Sequence, residues 1–152
     1  MKLSRKGPAI ARIALGLVFL VFGLNGFLQF LPQPASIPER AASFGAALAA
    51  TGYMFPLIKG VEVLVGALLL TNRFVPLALA LIAPNVVNIL LFHAVLAPSG
   101  LPLALVVLAL ELYLAWSYRE SFRPMLASRA QPSTARVLEG DGAGPALTPS
   151  TR

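Results

Sequence analysis

The sequence contains no cysteine and a single histidine, His93. The first absence removes disulfides, thiolate nucleophiles, iron–sulfur ligation and thiolate zinc sites together. The second means that one copy of the chain cannot supply paired histidines to a b-type haem. No metal site is expected, and any redox role must use a cofactor or substrate that needs no such ligands. Charge is also scarce: only 12% of the 152 residues are Asp, Glu, Lys or Arg, against about a quarter in a soluble domain. What fills the space is apolar, with 57% hydrophobic residues and a mean hydropathy of +0.79. The net charge of +6 does not indicate nucleic acid, because the basic residues crowd at the two ends instead of forming a stripe along a helix.

Four apolar spans are expected, at about 9–31, 53–71, 74–97 and 101–118. A bilayer core takes about 20 helical residues, and only closed backbone hydrogen bonding is viable there. The predicted fold is therefore all-α, a polytopic membrane four-helix bundle. The basic start resembles a secretory signal, but its apolar run is too long and carries Asn25 and Gln29, so it is read as a retained helix. Between Pro32 and Gly52, the pattern Ser36-x-x-Glu39 with Pro38 looks like a capping box opening a short, Ala-rich interfacial helix. Residues 1–126 form the membrane domain in this reading. Residues 127–152, rich in Pro, Gly, Ser and Thr, are expected to be a disordered cytoplasmic tail.

Orientation follows from Lys and Arg. Lys2, Arg5, Lys6 and Arg12 precede or open the first span, Arg73 lies between the second and third, and Arg119, Arg123 and Arg129 follow the fourth. The opposite connections hold only Arg40, beside Glu39, and the uncharged Pro98-Ser99-Gly100. By the positive-inside rule both termini are cytoplasmic.

The polar residues within the spans are the candidate site. Lys59 and Glu62, three apart, share a helix face, and ionisable groups at lipid depth mark an internal site by default. Glu62 and Glu111 fall near the middles of their spans. Asn85 and Asn88 flank the middle of the third, Asn25 and Lys59 lie outward, and His93 lies nearer the outer end. All seven are expected to converge on the outer half of the bundle as ligand-binding or proton-relay groups. Two carboxylates share one obvious cation, so Glu111 is expected to be held neutral. Each also has a plainer reading: an internal ion pair, amide glue beside the Pro84 kink, a hydrogen-bonding histidine. Gly16, Gly23 and Gly26 on the first span, with Gly60 and Gly66 on the second, are assigned to close helix packing.

The runs RIALGLVFLVFGLNGF, KGVEVLVGALLL, NRFVPLALALIAPNVVNILLFH and YRESFRPML, taken in order over residues 10–126, resemble the DoxX family of bacterial integral membrane proteins. The resemblance implies a four-helix protein of the bacterial inner membrane, related to a small subunit of a thiosulfate:quinone oxidoreductase. Lys59 and Glu62 match the polar motif of that family's second helix. The implied ligand is a quinone, and the implied partners are membrane lipids, a second copy of the chain or a redox subunit. Two other functions fit the same residues: a small-solute or proton transporter, and a non-catalytic membrane assembly partner.

Overall fold

The computed structural model describes residues 6–32 and 36–129. The chain divides after Ser121 into two units. In the second, the described part holds a 3-10 turn, Arg123–Leu126. The tail proposed from residue 127 lies, from residue 130 onward, outside the described residues.

Among its described residues the first unit holds helices and no strand: α1 (Lys6–Leu28), α2 (Glu39–Ala50), α3 (Met54–Leu70), α4 (Val75–Val95) and α5 (Leu101–Ser117), with a short α6 (Arg119–Phe122) whose last residue falls in the second unit. The four long helices close into a ring in which α1 touches α3 and α5, and α4 touches α3 and α5. The bundle is apolar both at its centre and on its outer faces. Leu17, Leu64, Leu81, Leu105 and Leu112 are exposed on its outer faces while Leu15, Phe19, Leu69, Ile82 and Leu114 fill its centre. An apolar outer surface of this extent suits acyl chains, not water. The protein is a helical membrane protein.

The glycines set the tightest seam. A methyl group at Gly16 would press on Leu69 and Leu70, at Gly23 on Val63 and at Gly26 on Lys59, while one at Gly66 would meet the Leu20 backbone nitrogen at 2.6 Å. Numbers rise along α1 as they fall along α3, so the two helices are antiparallel and their backbones approach through missing side chains. Gly60 departs from the expected pattern: nothing lies within 4 Å of the place its Cβ would take.

Three helices are long and apolar enough to cross a membrane by themselves: α1, α4, and α5 taken with the Pro98–Gly100 turn before it. With 17 residues, α3 reaches only about 25 Å of the roughly 30 Å hydrocarbon core. The expected short helix between the first two spans is present as α2, and it meets α3 crosswise, at 94°. The corner has a local cause. The Thr51 hydroxyl donates to the Leu48 carbonyl at 2.7 Å and accepts from the Met54 N–H at 3.0 Å, and Gly52 takes a left-handed φ of 75° that a side chain would resist.

The expected capping box does not form. Pro38 itself is the N-cap, with φ −54° and ψ 138° and no side-chain cap. Its carbonyl accepts from the N–H groups of Ala41 and Ala42 at 2.9 and 3.0 Å. Proline's fixed φ and missing donor suit the helix edge, so the helix starts two residues later than Ser36-x-x-Glu39 requires.

Candidate functional site

Spacing along α3 puts Lys59 and Glu62 on one face, and they form an ion pair with Nζ 2.8 Å from Oε2. Glu62 is 3% exposed, whereas the Lys59 side chain keeps 21%. What admits these two side chains to the interior is α1. The Lys59 stem occupies the space that a Cβ at position 26 would take, 2.5 Å from its Cγ and Cδ, and the Glu62 Cβ would lie 3.0 Å from one at position 23. Glycines assigned to packing and charges assigned to a site are therefore one construction. The Phe55 ring lies 6.0 Å from the Lys59 ammonium, at the outer reach of a cation–π contact.

His93 is held by three contacts. Its Nδ1 lies 3.0 Å from the Ala97 carbonyl. A carbonyl only accepts, so Nδ1 carries the hydrogen of this contact, and in the tautomer with no second ring hydrogen Nε2 is an acceptor. The ring stands edge-on to Phe92 at 5.2 Å. Gly100 lies so close to it that any side chain there would overlap the imidazole. Phe92 in turn meets Phe44 of α2 at 5.7 Å, which ties the crosswise helix to this end of the bundle.

A cavity of about 160 Å³ opens between the four long helices in the half nearer the Pro98–Gly100 turn. Val18, Phe19 and Phe22 of α1, Ile89 of α4, and Leu103, Ala104 and Val107 of α5 form its apolar walls. Lys59, Glu62 and His93 supply its polar edge. Three of the seven candidate residues are thus brought together.

The other four are not. Asn25 caps its own helix: its Oδ1 accepts from the Leu31 N–H at 2.7 Å, just past Gln29, whose φ of 50° ends α1. Asn88 is exposed on the outer face of α4. Asn85 is half-buried, and among the described residues its Nδ2 has no hydrogen-bond partner. Glu111 is 6% exposed, and its Oε2 likewise has none among them. It follows Ala104 and Val107 along the inward face of α5, one turn beyond the cavity wall. The convergence expected of all seven fails because helical periodicity sends residues at similar depth to different faces.

Two features escaped the sequence reading. Arg12, taken only as a topology signal, donates to the Leu69 carbonyl and, at 3.3 Å, to that of Leu70. Both carbonyls lie in the last turn of α3, where that of Leu69 also accepts from the Asn72 N–H at 3.2 Å, and the charge of Arg12 opposes the helix dipole. The apolar cavity walls were also missed, since Phe22, Ala104 and Val107 have the spacing of any core residue. Among the described residues no three His, Asp or Glu side chains cluster so as to hold a metal ion. No family model, no curated protein and no solved structure matches the chain.

Proposed function

We propose that this is a DoxX-like, multi-pass protein of the bacterial inner membrane, with both termini cytoplasmic, that binds a quinone head group as part of a quinone-linked oxidoreductase system. The observation that carries this reading is the cavity lined by Lys59, Glu62 and His93. Its size limits the occupant. Sites that enclose a drug-sized ligand measure about 300–1,000 Å³, so 160 Å³ suits a ring-sized head whose tail stays among the acyl chains.

The chemistry matches the two states of such a ring. The Lys59 ammonium donates to a quinone carbonyl oxygen. The Glu62 carboxylate and the His93 Nε2 accept from the hydroxyls of the reduced form. Electrons come from a partner subunit; the residues of this chain bind the head and handle its protons.

The test is equilibrium binding of a short-tailed benzoquinone to the purified full chain in nanodiscs. E62Q removes the carboxylate, and A104L fills the cavity without removing a polar group. Each is expected to weaken binding about tenfold or more, the worth of one good contact at roughly 1.4 kcal/mol. Wild-type affinity in both variants would overturn the site. Solute flux across sealed vesicles that depends on Glu62, with no quinone binding, would favour the transporter reading instead.

A further inference from the structure

The outward faces of the four long helices differ in one respect. Away from the helix ends, the exposed positions of α1, α3 and α5 carry only apolar side chains or glycine, whereas α4 exposes Asn88. Asn88 lies three residues past the midpoint of Val75–Val95, about 4.5 Å along the axis, and so well inside a hydrocarbon core about 30 Å thick. Among the described residues its amide makes no hydrogen bond. An amide facing acyl chains gains nothing from lipid and is costly until it finds a donor and an acceptor.

We propose that this face of α4 is the interface with a second copy of the chain, related by a two-fold axis along the membrane normal. The exposed residues Leu77, Leu81, Pro84, Asn88, Leu91 and Val95 alternate at spacings of four and three, the seam of a left-handed coiled coil. A carboxamide is self-complementary, since Oδ1 of each copy accepts from Nδ2 of the other. Both copies share one orientation in the bilayer, so the two Asn88 residues meet at the same depth. One polar residue in an otherwise apolar seam fixes register and pairs the helix with itself. A partner of different sequence would need its own amide at that depth; a second copy has one by construction. The proposal does not rest on the quinone reading.

Because the chain has no cysteine, the experiment is direct. Single substitutions L81C and L91C on the seam, and L105C and L112C on the exposed face of α5, are made in the full chain and oxidised in vesicles. The seam positions are expected to form disulfide dimers at least tenfold faster than the α5 positions. In energy-transfer measurements at increasing lipid dilution, N88V is expected to weaken dimerisation about tenfold, while N88Q, which keeps both donor and acceptor, remains near wild type. Equal cross-linking at both faces, or an N88V chain that dimerises like wild type, overturns the proposal.

Discussion

The α1–α3 half of the bundle and the α4–α5 half solve the problem of polar groups in lipid differently. In the first, every buried charge has a partner: Lys59 meets Glu62, and Arg12 meets the end of α3. Glycines at 16, 23, 26 and 66 let the two backbones close around these groups. In the second half, α4 and α5 carry no glycine between Val75 and Val95 or between Leu101 and Ser117, and two polar atoms, Asn85 Nδ2 and Glu111 Oε2, are buried without a partner. The difference teaches that one helix pair satisfies its buried polar groups from within the pair, while the other, among the described residues, leaves two of them unsatisfied. The cavity lies where the two halves meet.

The largest effect should come from breaking the scaffold. At G66L a branched side chain would have to enter space already within 2.9 Å of Leu20, and overpacking of this kind costs about 3 kcal/mol or more when backbone lies opposite. Unfolding in detergent mixtures should show that loss. Next comes the ion pair, which should respond unequally to its two halves. K59M strands Glu62, at 3% exposure, and should cost about 3 kcal/mol. E62Q leaves a lysine that can extend toward water and should cost roughly 1 kcal/mol. Equal losses would mean that Lys59 is as confined as its partner.

The α4–α5 half should answer in the opposite direction. Replacing an unpartnered buried carboxyl with an apolar side chain of similar volume, E111M, should raise stability by about 1 kcal/mol. A loss there would indicate that Glu111 has a partner within the fold. The smallest effect is expected at G60A, on the same helix as Gly66 but facing open space. It should be neutral or stabilise by up to about 1 kcal/mol through helix propensity alone. A cost at position 60 comparable to that at 66 would erase the distinction between the two sides of α3.

Much of this architecture was legible because apolar length and helical spacing are local properties. The spans of α1, α4 and α5, the crosswise α2 and the facing of Lys59 toward Glu62 all follow from residues near one another in sequence. Pairing between helices does not. That Gly23 and Gly26 accommodate Glu62 and Lys59 depends on the antiparallel register of α1 and α3, which no periodicity encodes. Asn25 was grouped with the site by its depth, yet it is consumed by its own helix terminus, and Asn88 was grouped by depth but faces outward. The Ser36 capping box failed because Pro38 competed for the same helix start. The cavity walls were hidden for a different reason: an apolar residue beside an empty space has the same chemistry as one in a filled core.

The most direct test is to ask where a quinone touches the chain. A photoactivatable azidoquinone is irradiated with the full-length protein in nanodiscs, and the labelled peptides are mapped. The account predicts label concentrated within residues 18–22 and 103–107, and lost when A104L fills the cavity. Label spread over the outward leucines of α1, α3, α4 and α5, and unchanged in A104L, would mean that the quinone only dissolves in the surrounding lipid and that the cavity is not its site.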